Sequence, residues 1–255
     1  MPAAVCPLCN GTGYKIVERD EVSGAVRCEC AAAERAAQVE SRAGIPPLYA
    51  NASLDNFSTR SDNPVEYRQM QKAFLTVRAF AREFPAAGKP PGLLLTGYPG
   101  SGKTHLAVAA FREILAKGFP GLFFDYQSLL DRIRSGYDVT SNSSDKEAYR
   151  IAMDVDVLLL DDLGAHRVTD WVEDTVTSII TSRCNQRKAL IVTTNLIDEG
   201  FGDVTYRQAG ESNTDHRKTL AERIGERARS RLFEMCTIVK MPLVSDYRLR
   251  KQAVQ

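Results

Sequence analysis

The sequence predicts an α/β protein, a parallel sheet covered by helices on both faces and preceded by a small cysteine-rich module. Three observations predict it. Short, wholly apolar runs alternate with helical patterns, as strands buried on both faces require. A glycine-rich loop, Gly97–Thr104, falls between one such run and a helix. Four of the six cysteines lie within the first 30 residues, away from the apolar runs.

Residues 1–44 carry Cys6-x-x-Cys9 and Cys28-x-Cys30. Two close thiol pairs separated by a hairpin-length spacer suit tetrahedral zinc, and Gly11 and Gly13 permit the tight turn that presents the first pair. So short a segment with few large apolar side chains scarcely folds without such a staple. A redox pair and idle thiols are the other readings of the same spacing. Residues 45–62 form a connector rich in turn formers. Asn63-Pro64 then starts a helix. Met70, Phe74, Val77, Ala81 and Phe84 fall on one face of it. Pro85 and Gly88–Pro91 stop it. The organisation is a zinc-binding module over 1–44, a linker with an amphipathic helix over 45–91, and a main domain over 92–255.

Within that domain the expected strands are Leu93–Leu95, Leu122–Phe124, Val157–Leu160, Leu190–Val192 and Thr237–Lys240. Helices are expected over 103–116, 127–135, 169–184 and about 218–234. Cys184 and Cys236 fall within core elements. A polar loop is expected at Asp138–Asp145, and the Gly- and polar-rich stretch Glu199–Asp215 reads as a mobile insertion.

The composition, 44% hydrophobic and 25% charged over 255 residues, excludes wholesale disorder. The net charge of +1 carries no information about partners. Its distribution does: residues 217–251 hold ten Lys or Arg against four acids, an excess that could face phosphate, nucleic acid or an acidic subunit surface. The N-terminus lacks the pattern of a signal peptide, and no apolar stretch approaches the roughly 20 residues that span a bilayer. A cytoplasmic protein with reduced cysteines and no membrane partner is expected.

Gly97-Tyr98-Pro99-Gly100-Ser101-Gly102-Lys103-Thr104 matches G-x-x-x-x-G-K-[ST]. Its glycines let backbone N–H groups point inward at phosphate oxygens, and the following helix adds its positive dipole end. Lys103 would reach the β- and γ-phosphates of ATP, and the Thr104 hydroxyl would ligate Mg2+. His105, next on the helix, is counted with the loop as a nucleotide contact. Val157–Leu160 ends in Asp161-Asp162. Alternation sends the two carboxylates in different directions. Asp161 is expected to hold magnesium, and Asp162 to orient or deprotonate the attacking water.

Together with IPPLYANASLDNF, GYPGSGKTHLA, VLLLDDLGAHR, IVTTN, GERARSRL and SDYRLR, these residues resemble the AAA+ ATPases of the DnaC/DnaI helicase-loader and IstB group. The resemblance covers about residues 45–250. It implies an AAA+ P-loop core with a five-stranded parallel sheet, and a homo-oligomer joined through its ATP sites. It places Asn195 at the polar sensor position and Arg248 at the second sensor arginine. It makes Arg231, or Arg227 one helical turn away, the arginine finger supplied to a neighbour's ATP. CPLCNGTGY followed by CEC is similar to the zinc module with which DnaI-like proteins dock on the replicative helicase, though a chaperone zinc domain shares C-x-x-C-x-G-x-G. The resemblance thus implies a helicase loader acting with ATP, Mg2+ and Zn2+, whose partners are a replicative DNA helicase and single-stranded DNA. Asp162 reaches less far than the glutamate of many such ATPases, so slow hydrolysis is expected. An IstB-like transposition ATPase and a nucleotide-dependent adaptor with little turnover are the alternatives.

Overall fold

The computed structural model describes residues 6–10, 12–19, 22–59, 63–136, 143–165, 167–196, 198, 219–244 and 246–247. The insertion at 199–215 and Arg248 lie outside these residues.

The spacer between the thiol pairs is a hairpin. β1 (Tyr14–Arg19) and β2 (Val22–Arg27) pair antiparallel, with Tyr14 opposite Arg27 and Arg19 opposite Val22. α1 (Glu29–Arg42) follows at once. This helix is not among those expected from the sequence, although its run of alanines favours one. Its last turn reaches the main domain. Arg112 Nε donates to Glu40 Oε1 at 2.5 Å, and the Phe123 amide donates to the carbonyl of the fully buried Ala43 at 2.7 Å.

α2 (Pro64–Glu83) begins where Asn63 accepts from the Val65 amide, with proline in the first turn. It buries Met70, Ala73, Val77 and Ala81. The main domain then runs β3 (Gly92–Thr96), α3 (Lys103–Ala116), β4 (Gly121–Asp125), α4 (Tyr126–Ser135), α5 (Ser143–Asp154), β5 (Val157–Asp161), α6 (Asp170–Asn185), β6 (Ala189–Thr194), α7 (Leu220–Ile224), α8 (Glu226–Met235) and β7 (Cys236–Lys240). Two expectations change. Residues 143–145 belong to the unforeseen α5 rather than to a polar loop, and 137–142 lie outside the described residues. The basic helix breaks at Gly225, whose φ of 83° is left-handed, and so divides into α7 and α8.

The five strands are parallel in the order β4-β5-β6-β3-β7. Alternation splits each strand between two cores. Leu93, Leu95, Leu159 and Ile191 face α1, α2 and α3, whereas Leu94, Leu158, Leu160, Leu190 and Val192 face α4 to α8. The apolar runs are continuous because both faces are covered.

Arg183 of α6 is fully buried. Its guanidinium donates to the carbonyls of Ala152 and Val155 at 2.9 Å, of Asp156 at 3.2 Å, and of Ala189. It thereby ties the end of α5 to the starts of β5 and β6. Burial lowers its pKa to about 10, against the favourable charges of Asp156 and Asp154.

Candidate functional site

Three strands end on the same side of the sheet, and their C-terminal ends carry the polar residues. β3 leads into the phosphate loop, β5 ends at Asp161 and β6 at Thr194. The loop curls because three of its glycines are left-handed or nearly so: φ is 150° at Gly97, 74° at Gly100 and 91° at Gly102. A side chain at Gly102 would also meet the Phe57 ring, 2.7 Å from its Cβ. Phe57 comes from the connector, which therefore lies against the loop. Pro99 lies in the turn between the first two of these glycines. Ser101 is buried and donates to Tyr98 O at 2.8 Å.

Lys103, at the first position of α3, is 5% exposed. Its ammonium donates to Gly97 O at 2.9 Å and Tyr98 O at 2.8 Å, so the cation sits within the loop's curl. Thr104 Oγ1 donates to Asp161 Oδ1 at 2.9 Å. A hydroxyl and a carboxylate in contact are hard oxygen donors of the kind magnesium takes, so the pair fits that ion. Thr193 Oγ1 donates to the same carboxylate oxygen at 2.5 Å. Burial raises the Asp161 pKa, the two hydroxyl bonds oppose that rise, and the neighbouring Asp162 and Asp125 add to it.

Asp162 adopts φ 56°, a left-handed conformation that glycine, asparagine and aspartate enter more readily than other residues. Its amide donates to Thr193 Oγ1 at 3.0 Å, and its carboxylate accepts from Asn195 Nδ2 at 2.7 Å. Thr104, Asp161, Thr193, Asp162 and Asn195 are thus linked by hydrogen bonds, and Lys103, next to Thr104 on α3, is bonded to the loop beside them. His105 points elsewhere. Its Nε2 lies 3.1 Å from Ser53 O and 2.9 Å from Asn56 Oδ1, binding α3 to the connector rather than facing the phosphate side. Arg231 lies on α8 and donates to Glu234 Oε2 at 2.5 Å, while Arg227 is exposed. Among the described residues, neither is bonded to the hydrogen-bonded network.

Three participants went unread. Thr193 bridges Asp161 and Asp162, and the Thr-Thr-Asn run that contains it was the available signal. Asp246 packs against the loop: a Cβ on Gly100 would lie 2.1 Å from its carboxylate, and the Tyr247 amide donates to Gly100 O at 3.2 Å. Asp198 holds Arg229. No local pattern announces the last two, because each pairing is made across the fold. A groove of about 1280 Å3 lined by Leu75, Phe80, Phe84 and Thr237 lies at the opposite end of the sheet and includes none of these residues.

The four N-terminal thiols also converge. Cys9 Sγ lies 3.3 Å from Cys30 Sγ and Cys6 Sγ 3.9 Å from Cys28 Sγ, and all four sulfurs lie within 4.8 Å of one another. Tetrahedral zinc with bonds of about 2.3 Å sets its sulfurs about 3.8 Å apart. The quartet fits that ion. Asn10, at φ 47°, turns the chain so that its amide reaches Cys6 O at 2.8 Å. Thiol-to-thiol bonding, first with Cys9, raises the Cys30 pKa.

Among the described residues no helix is long and apolar enough to cross a membrane. Residues 42–210 match the family model of the IstB-like ATP binding protein. The chain is 26% identical over 199 residues to the replicative helicase loader DnaC of Escherichia coli K12, covering 76% of this chain and 77% of that protein. A solved structure of the DnaC helicase loader superposes with a TM-score of 0.60 at 34% identity, covering 77% of this chain and all of that one. A DnaI structure superposes at 0.58 over 77% of this chain and 94% of that one, and at 21% identity it speaks for the fold alone. The cysteine quartet precedes the matched span. The chain belongs to the IstB-like ATP-binding family and is a DnaC/IstB-like AAA+ ATPase.

Proposed function

We propose that this protein is a helicase loader that binds ATP, hydrolyses it slowly, and acts on a replicative helicase and single-stranded DNA as a homo-oligomer. The observation that carries the reading is the joining of the hydrogen-bonded Thr104–Asp161–Thr193–Asp162–Asn195 network, beside Lys103 of the phosphate loop, to a four-thiol module in a chain similar to DnaC. In this reading residues 1–44 form a zinc module that grips the helicase, 45–91 a linker and helix, and 92–255 the ATPase core.

Lys103 and the loop amides bind the triphosphate. Thr104 and Asp161 would hold magnesium, which supplies neutralisation of phosphate charge when bound. Asp162, held by Asn195, orients the attacking water or accepts its proton. The short Asp162 side chain, tethered at 2.7 Å, supports slow rather than fast hydrolysis. Arg231 or Arg227 reaches an adjoining subunit's phosphates, for which a planar, permanently charged fork is suited. Arg248 is assigned to the second sensor position.

Pull-down with the cognate replicative helicase, using full-length protein under reducing, zinc-replete conditions, tests the loader reading. Retention of the helicase, lost on Cys6→Ser/Cys9→Ser, is expected; no binding by the wild type refutes it. The IstB-like family match favours a second reading, a transposition ATPase on double-stranded DNA. Preference for duplex over single-stranded DNA in an ATP-dependent binding assay would select it.

A further inference from the structure

Asp198 follows the sensor residue Asn195 by three positions, which limits their Cα separation to about 11 Å. Its carboxylate is 2% exposed and is clasped by one edge of a guanidinium. Arg229 Nε donates to Oδ2 at 2.5 Å, and Nη2 to Oδ1 at 2.6 Å. The same guanidinium stacks over the Phe233 ring at 4.6 Å. This bidentate geometry fixes direction as well as distance.

Arg229 belongs to α8, whose buried stripe is Ala228, Leu232 and Met235. Such an apolar stripe resists separation but leaves the helix some freedom to roll. A rigid fork on one flank removes that freedom. At 100° per residue, Arg227 and Arg231 share a face about 160–200° around the helix from Arg229, so the roll that the fork sets is the roll that aims them.

We propose that the Asp198–Arg229 pair is a strut between the water-orienting end of β6 and α8. It sets the arginine that α8 offers to the adjoining subunit. Asp198 and Arg229 are positioning residues: they touch no nucleotide in their own subunit and act on turnover in the next one. The proposal rests on the reading of Arg227 or Arg231 as acting in trans.

The test measures ATP turnover with Mg2+ and single-stranded DNA for full-length variants, each alone and mixed with Lys103→Ala subunits. Those subunits cannot hydrolyse but carry an intact α8. The double variant Asp198→Asn/Arg229→Gln leaves both side chains polar while removing both charges and the fork, so no lone buried charge remains to unfold the chain. Alone, it is expected to lose kcat by about tenfold, with KM and the affinity for a fluorescent ATP analogue changed by less than about twofold. Mixing with Lys103→Ala should restore its turnover, as it should for Arg227→Ala/Arg231→Ala. A merely structural defect stays in its own subunit and is not restored by mixing. Unchanged turnover in the double variant, or a loss that mixing fails to restore while Arg227→Ala/Arg231→Ala is restored, overturns the strut alone. If Arg227→Ala/Arg231→Ala is not restored either, or the wild type does not turn over, the trans-arginine reading falls and the strut with it.

Discussion

Asp161 and Asp162 are adjacent in sequence and differ in everything else. Asp161 is the end of a strand, drawn inward and bonded by Thr104 and Thr193, whereas Asp162 is turned left-handed toward Asn195. Burial makes ionised Asp161 a cost in the absence of a cation, since its pKa is raised. The sign follows. A raised folded-state value means stability that is complete below the ordinary carboxylate value, about 3.9, and is lost as pH rises through the raised one. Asp161→Asn carries no such loss. Nucleotide-free Asp161→Asn should therefore melt above the wild type at neutral pH, with the gap closing as pH falls towards about 4; thermal scans from pH 4 to 8 measure it. The same variant should bind magnesium nucleotide roughly 10–100-fold more weakly, as measured by titration at fixed ATP. Asp162→Asn tolerates the left-handed backbone and should leave the melting temperature near that of wild type. It should nevertheless lower kcat by about 10²–10⁴-fold, in line with loss of a group that handles a proton.

At the level of elements, the sheet forms from apolar runs, but its spacing to the helices is held by polar anchors. Arg183 is the plainest. It donates to carbonyls at the end of α5 and at the entry to β5, of which that of Asp156 also accepts from the Ala189 amide. Arg183→Ala would remove these bonds and open a cavity between α6 and the sheet. A loss of about 3–5 kcal/mol is expected, read by urea denaturation. Gly102 governs the start of α3. Its left-handed φ and the nearness of Phe57 leave no room for a side chain. Gly102→Ala should weaken ATP binding more than it weakens the fold, whose expected cost is about 1–2 kcal/mol; paired calorimetric titration and melting separate the two.

On the scale of the whole molecule, the four-thiol hairpin and the AAA+ core are joined by α1, whose end packs into the core through Ala43 and the Glu40–Arg112 pair. A metal that folds the thiol module therefore also steadies the base of α1. Zinc chelation should unfold the β1–β2 hairpin while leaving nucleotide binding by the core intact. Hydrogen exchange is expected to rise across residues 6–30 and to stay low in β3, β5 and β6. A simultaneous loss of protection in the central strands would show the two parts to be one cooperative unit.

The phosphate loop, the paired aspartates, all five strands of the parallel sheet and the thiol quartet were legible from the sequence. Each is set by local chemistry: the conformational freedom of glycine, the apolar run of a two-faced strand, or the close spacing of ligands. Helices α1 and α5 carry weaker signals, α1 because it follows directly on the second thiol pair and α5 because its composition is largely polar. What only the tertiary structure decided are the pairings between distant segments. Thr193 bridges two aspartates from the next strand, Arg183 closes over carbonyls some 30 residues back, and His105 turns to the connector. Asp198 finds Arg229 across the gap between β6 and α8. Such contacts depend on strand order, β4-β5-β6-β3-β7, in which β3 lies between β6 and β7 rather than beside β4. A single chain's composition and periodicity carry the elements but not their order, because order is chosen by how all the apolar faces are buried at once.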